Sequence, residues 1–325
     1  MPLVSVIMNV RNGASTLRQS LDSVMAQTFA DWEAIVWDDR STDASANIVA
    51  QYSDPRIRYF LSPEDTSLGK ARDAAIRQAQ GEWLAFLDQD DLWMPRKLEM
   101  QMGLADQKTG LIYGRTVRFY PSGMERDYDQ THEFAPLPEG DIFAQLFTKG
   151  NFIAMSSAVF RRSAIDEIGG ISASIAIVPD YYLSATVARR HPVRAVQDVV
   201  CRYRMHDANM SRLSAIAMHQ EQLWLVNHWA GSLDPRTVAR CRKRHSTAIA
   251  LQEIRNPQTA IRGLARLLTE GSIASQLKRP FLFGFHVVRR NVRVPRWKTS
   301  GQRSIGTALT SIPGTEAVHS RRAED

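Results

Sequence analysis

Four short apolar runs within the first 90 residues, each separated from the next by a polar or helix-like segment, restrict this chain to a small set of folds. "LVSVIM" (3–8), "WEAIVW" (32–37), "IRYFL" (57–61) and "WLAFL" (83–87) are rich in β-branched and aromatic side chains. Nearly continuous apolar strands belong in sheets covered on both faces. Between the first two runs, Leu17, Leu21 and Val24 recur at helical spacing, with Ser15 placed to cap that helix. Helices are also expected around 44–52, over 68–80 with Gly81 as the stop, and over "RKLEMQMGLADQ" (96–107), with Pro95 at the first helical position. The alternation predicts an α/β fold, Rossmann-like, with a mostly parallel sheet and flanking helices.

Past residue 100 the pattern is less regular. "GLIYGRTVRFY" (110–120), "SSAVFRR" (156–162) and "VRAVQDVVCRYRMH" (193–206) read as strands, and "PSG" (121–123) as a turn opening a loop to residue 140. "GDIFAQLF", "SAIDEIGG" and "VPDYYLSATVARRH" read as helices. From Ser211 onward the pattern is helical and amphipathic, and about the last 20 residues read as poorly ordered. The expected organisation is an α/β domain over 1–212 and a basic helical C-terminal region over 213–325.

Charge follows the same division. Residues 1–200 carry 20 Lys/Arg against 26 Asp/Glu, whereas residues 201–325 carry 21 against 8. The basic part is either a solvated face or a surface that docks on something anionic. No apolar stretch reaches the roughly 18 residues of a membrane span. "MPLVSVIMNV" lacks a basic leader, and the two cysteines, Cys201 and Cys241, lack metal-ligand spacing. The expected location is therefore the cytoplasm, and a basic part that docks would sit peripherally on an anionic surface such as the inner membrane face.

The chemistry concentrates at strand ends. Asp38 and Asp39 follow "AIVW"; Asp88, Asp90 and Asp91 follow "AFL". Open α/β sheets bind ligands beyond the carboxyl ends of their strands. Aspartate is also an ordinary cap and turn residue, so one pair alone would mean little. Two clusters at equivalent strand ends point to a shared pocket. Three like charges within four positions raise one another's pKa or call for a bridging cation.

At this point the motifs themselves are informative. "PLVSVIMNVRNGASTLRQSLDSVMAQTFADWEAIVWDDRSTDAS" and "GKARDAAIRQAQGEWLAFLDQDDLWMP" resemble, in order and spacing, the N-terminal half of family 2 glycosyltransferases of the GT-A fold. The likeness is dense over residues 2–100 and thinner to Ser211. Three positions depart from the usual pattern. Arg11 stands in "NVRN" where the family has tyrosine, Arg40 stands in "DDRS" for glycine, and "ARDAA" keeps the arginine but not the Asn and Gly of "ARNxG". An arginine can also stack on a base face.

The resemblance implies an inverting transfer from a nucleoside-diphosphate sugar, with UDP the expected nucleotide, to a glycan or lipid-linked acceptor. It implies a Mn²⁺ or Mg²⁺ ion at the D-x-D-like Asp88-Gln89-Asp90, with Asp90 the principal ligand. Asp91 would bind indirectly or cap the following helix. Asn9, Arg11 and Asp39 would meet the nucleotide, while Asp38 would order the loop. Arg72 would lie near base and diphosphate, or form a surface ion pair. "VPDYYLS" is the local match to the segment that supplies the general base, so Asp180 is the candidate, or else a plain first-turn aspartate. "CRYRMH" places Arg204 near phosphate and His206 near metal or diphosphate, with structural roles for both as alternatives. Two rival readings are a nucleotidyltransferase and a nucleotide-sensing nucleic-acid binder using the basic region. No glycine-rich phosphate loop or nucleic-acid motif supports them, and no nucleic-acid partner is expected.

Overall fold

A computed structural model describes residues 1–120, 122–127, 135–206, 215–256 and 258–269. The junction expected at 212–213, part of the loop running to residue 140, and the tail expected to be poorly ordered lie outside the described residues.

The first four apolar runs form β1 (Val4–Val10), β2 (Trp32–Asp38), β3 (Ile57–Leu61) and β4 (Trp83–Phe86). They are joined through α1 (Leu17–Met25), α2 (Ser45–Val49) and α3 (Leu68–Gln78). All four are parallel, in the spatial order β3-β2-β1-β4. Each crossover carries a helix, which is what joining parallel neighbours requires. Every residue of β2 and β4 is buried, while β3 at the edge leaves Tyr59 and Leu61 exposed.

The next elements are β5 (Leu92–Trp93), α4 (Lys97–Met102), β6 (Leu111–Phe119), β7 (Glu125–Asp127), α5 (Phe143–Thr148), β8 (Val159–Arg161), α6 (Arg162–Glu167), α7 (Pro179–Ala188) and β9 (Val193–Arg204). Among the described residues these strands extend one nine-stranded sheet in the order β4-β8-β6-β9-β5, with β7 beside β6. β8 runs antiparallel to both β4 and β6, and β6 parallel to β9. The sheet is thus mixed beyond its parallel quartet. Strand direction there depends on how the chain enters each strand, which apolar patterning does not encode.

Alternation along the strands divides the core in two. Ile7, Ile35, Leu84 and Phe86 face α3, α5 and α7; Val4, Val6, Met8, Val36 and Ala85 face α1 and α4. Three further helices follow: α8 (Ala215–His228), α9 (Pro235–Arg255) and α10 (Ala260–Thr269). Leu225, Val226, Val238 and Cys241 of α8 and α9 are buried in the same core as α5 and α7. Trp229 meets Phe143 edge-on at 5.6 Å, and the Cys241 thiol donates to the Phe147 carbonyl.

Three local expectations differ. α3 ends at Gln78 with Ala79 as its C-cap, so Gly81 is not its stop. Ser15 does not cap α1, which begins at Leu17 without a side-chain cap; the preceding Gly13 and Ala14 N–H groups donate to Ser45 and Asp43 instead. The helix after Pro95 is short: Arg96 is its N-cap and Gly103 ends it.

Candidate active site

The carboxyl ends of β1, β2 and β4 lie side by side, with Val10 registered against Asp38. The turn after β1 and the turn after β2 are stitched together. Asn12 donates its N–H to Ser41 Oγ, and its side-chain oxygen accepts from the Thr42 N–H at 2.8 Å. Asn12 and Arg40 both adopt left-handed backbone, at φ 51° and 61°. Asparagine tolerates that region, but an arginine there is strained. The side chain of Arg40 is tied to the carbonyl of Pro63.

Asp38 is fully buried and committed to this loop, accepting from the Ser41 N–H and, at 2.8 Å, from the Tyr59 hydroxyl. Asp39 turns the other way. It meets Arg11 Nη1 at 3.1 Å and accepts a longer bond from Thr66, and Arg11 also reaches Asp65 at 3.3 Å. The guanidinium of Arg11 is half exposed over this end of the sheet. The side-chain nitrogen of Asn9 is buried without a hydrogen-bond partner, as is the indole N–H of Trp37, its neighbour in register on β2. Two orphaned donors on one face are a cost that a bound acceptor would relieve.

The loop after β4 is held by residues that sequence reasoning did not single out. Gln89 exchanges two hydrogen bonds with the backbone of Arg11. A Cβ at Gly13 would overlap the Gln89 side chain, so the glycine makes room for this lock. Ser20 donates to the carbonyls of both Gln89 and Asp91. Neither the amide nor the hydroxyl has a sequence signature, because their partners lie about 70 residues or more away.

The three aspartates of that loop have separate fates. Asp88 pairs with Arg72, whose guanidinium is buried. Asp90 Oδ2 lies in hydrogen-bond contact with His206 Nε2 at 2.7 Å. Asp91 is fully buried: Oδ2 accepts from Ser156 Oγ at 2.6 Å and Oδ1 from the Arg204 N–H at 2.9 Å. Asp91 therefore does not cap α4, which has no side-chain cap. The Arg204 guanidinium donates to the Asp90 carbonyl and to Gln19, and lies 4.5 Å over the ring of Phe119.

Burial, then the neighbouring charge of Asp88, pushes the Asp90 carboxyl upward, and His206 offsets part of this. Burial pushes Asp91 well above the ordinary carboxylate range, reinforced by Asp90 and Asp88. Burial also lowers Arg204, while the Asp90 and Asp91 charges oppose that shift. Asp180 opens α7 behind Pro179, half-buried, and accepts from the Asn151 side chain at 3.0 Å. Its pKa is raised by burial; the Arg72 charge opposes this and the Asp88 charge adds to it. Arg72, Asp88 and Asp180 thus share one electrostatic neighbourhood.

Among the described residues, no three His, Cys, Asp or Glu side chains form a ready-made metal cage. A hard cation that completes its shell with phosphate oxygens and water needs only one or two protein carboxylates. Asp88 and Asp90, two like charges in one loop, are the carboxylates that could supply the protein oxygens of such a site. Asp91 has both oxygens engaged by the protein.

Comparison with known proteins places these features. The sequence profile described as "Glycosyl transferase family 2" matches residues 5–169. An uncharacterized glycosyltransferase of Rickettsia felis is 29% identical over 231 residues, which cover 69% of this chain and 38% of that protein. The UDP-Glc:alpha-D-GlcNAc-diphosphoundecaprenol beta-1,3-glucosyltransferase WfgD of Escherichia coli is 41% identical over 102 residues, 31% of this chain and 40% of that one. The chain thus spans well under half the length of these two relatives. Among solved structures, the mannosyltransferase PcManGT of Pyrobaculum calidifontis, in complex with GDP-Man and Mn²⁺, superposes with a TM-score of 0.57 at 19% identity. That match covers 89% of this chain and 83% of PcManGT. S. aureus TarS in complex with UDP-GlcNAc gives a TM-score of 0.56 at 16% identity, covering 86% and 76%. At these identities the likeness speaks for the fold, which is GT-A: a mixed, curled sheet with flanking helices. With that profile matched across half its length, the chain belongs to glycosyl transferase family 2.

Proposed function

We propose that this chain transfers a sugar from a nucleoside-diphosphate sugar to an acceptor hydroxyl, with inversion at the anomeric carbon, in the assembly of a cell-surface glycan. The observation that carries the reading is the gathering of Arg11, Asp39, Arg72, Asp88 and Asp90 about the carboxyl ends of the parallel strands. Asn9, Arg11 and Asp39 bind the nucleotide, with Asp39 free to accept a base N–H once Arg11 moves over the ring. Arg72 faces the diphosphate. Asp90, with Asp88, would hold a Mn²⁺ or Mg²⁺ ion, which when bound neutralises charge on the leaving diphosphate. Asp180 takes the proton of the acceptor hydroxyl as its oxygen bonds to the anomeric carbon. The bond from that carbon to the diphosphate breaks on the opposite face, and the nucleoside diphosphate leaves with the electron pair. His206 steadies Asp90, and Arg204 holds the loop carrying it.

A UDP-sugar and a lipid-linked acceptor are the expected substrates. The E. coli relative is named for a UDP-glucose donor and a diphosphoundecaprenol-linked acceptor, and TarS is solved with UDP-GlcNAc. Among the described residues no helix is long and apolar enough to cross a membrane. Arg236, Arg240, Arg242 and Lys243 form an exposed basic face on α9, which supports docking on an anionic lipid surface.

The test is thermal stabilisation by UDP-glucose, UDP-N-acetylglucosamine and GDP-mannose, each with and without Mn²⁺, on wild type and Asp90→Asn, followed by nucleotide release. A Mn²⁺-dependent stabilisation that Asp90→Asn abolishes is expected. Stabilisation indifferent to both metal and Asp90, or none with any donor, overturns the reading.

A further inference from the structure

The residues just before α7 are bound by a side chain from far along the chain. Glu221 of α8 accepts from three successive backbone N–H groups. Its Oε1 takes those of Ala176 and Ile177, at 2.9 and 3.1 Å, and its Oε2 those of Ile177 and Val178, at 2.8 and 2.9 Å. Consecutive N–H groups converging in this way form an anion-binding concavity. Here it sits at the positive end of a helix, and the chain's own carboxylate fills it. The next two residues are Pro179 and Asp180, so the carboxylate grips the segment that aims the proposed base.

The same segment also touches the helix that carries Arg72. Ala176 accepts from the Gly69 N–H at 3.2 Å in the first turn of α3, and a Cβ at Gly69 would overlap the carbonyl oxygen of Ile175. The glycine allows backbone to lie against backbone. Residues 175–178 are therefore held between α3 and α8, one turn from Arg72 on one side and two residues from Asp180 on the other. α8 is itself anchored, with Leu225 and Val226 in the core and His219 Nδ1 3.3 Å from His245 Nδ1 of α9. α3 is secured without the clamp, by Ala71, Ala75 and Ile76 in the core. The first turn of α7 has no side-chain cap of its own and begins with a proline that cannot donate.

We propose that Glu221 is a positioning residue for the transfer reaction: it fixes Asp180 in register with Arg72 and so makes the C-terminal helices part of the active-site framework. The inference rests on the function proposed above. It concerns a carboxylate 41 positions beyond the base candidate and outside the residues matched by the family profile.

The experiment uses the full chain with Mn²⁺ and whichever of UDP-glucose, UDP-N-acetylglucosamine or GDP-mannose the wild type turns over. Nucleotide release, with water in the acceptor's place, is compared for wild type, Glu221→Gln and Glu221→Asp. Donor Kd by titration and amide exchange over residues 174–184 are read on the same proteins. Glutamine presents only one acceptor oxygen to three donors, whereas aspartate keeps the charge on a shorter arm. In Glu221→Gln, kcat should fall at least tenfold while donor Kd stays within threefold, and exchange should rise locally at 176–178. Glu221→Asp should recover part of the loss. Failure of the wild type to bind or turn over any donor defeats the function itself. An active wild type with Glu221→Gln within twofold in kcat, or with equal losses in kcat and donor affinity, overturns only the positioning role. If Glu221→Gln does not fold, Glu221→Asp carries the same kcat-against-Kd comparison; if neither folds, Glu221 is a folding residue and the proposal fails.

Discussion

Replacing Asp91 separates a structural carboxyl from a metal ligand in a loop where three aspartates look alike. Its two oxygens accept from Ser156 Oγ and the Arg204 N–H, and the side chain is fully buried. Asp91→Ala strands both donors without water. At about 1–3 kcal/mol for each buried group left unsatisfied, the loss is about 4 kcal/mol. For a chain of 325 residues at about 2.1 cal/mol/K each, that is roughly 6 °C in Tm. Asp91→Asn keeps the shape. Its carbonyl accepts from Arg204, and its amide donates to a serine oxygen that can rotate to accept, so the cost should stay within about 1 kcal/mol.

The two variants also differ in pH dependence. Burial raises Asp91 in the folded state, so the folded protein holds a proton that the unfolded chain releases at lower pH. Wild-type stability should therefore fall as pH rises from the unfolded carboxyl pKa, about 4, toward the raised folded value. Asp91→Asn removes that contribution to the slope. Urea unfolding at a series of pH values measures both effects, provided the m value is unchanged. The reasoning is refuted if Asp91→Ala lies within about 1 kcal/mol of wild type. It is refuted equally if Asp91→Asn loses the Mn²⁺-dependent donor response as completely as Asp90→Asn does.

Three further outcomes follow from the same geometry. Arg72→Gln, which strands Asp88 and removes the buried cation beside Asp180, should weaken donor binding at least tenfold, about 1.4 kcal/mol by titration; an unchanged Kd removes Arg72 from the diphosphate. Because a base must be ionised to act and Asp180 is raised by burial, kcat should climb with pH through a value above that of an ordinary aspartate. Asp180→Asn should lower kcat by about 10²–10⁴ and abolish that limb, and persistence of the limb would assign it elsewhere. Co-sedimentation with vesicles containing anionic lipid should exceed that with neutral vesicles and weaken with salt, and the triple variant Arg236→Glu/Arg240→Glu/Lys243→Glu should remove the difference; equal binding to both vesicle types rules the basic face out.

Much of the fold was legible because its signals are local. β1 to β4 are marked by apolar runs; β1, β2 and β4 are covered on both faces, and the half-exposed edge strand β3 still shows its β-branched and aromatic residues. The acidic strand ends were legible too, since charge following a buried strand stands out without knowledge of its neighbours. The same local reading led to Ser15 as a cap and to a long helix after Pro95. Each depended on a competition the residues alone do not express: Asp43 and Ser45 take the N–H groups before α1, and Gly103 ends α4 after six residues.

What the sequence by itself determined is therefore the parallel quartet, the order of the motifs and the set of side chains available at one sheet edge. Only the tertiary structure decided what those side chains are doing. Asp88, Asp90 and Asp91 lie within four positions, yet one faces Arg72, one His206, and one Ser156 with the Arg204 backbone. Gln89 locks two loops from 78 residues away, and Glu221 holds the approach to Asp180 across more than 40. Burial and hydrogen-bond partnership are properties of the packed neighbourhood, and a single chain written out in order carries no record of which distant donor will arrive at which oxygen.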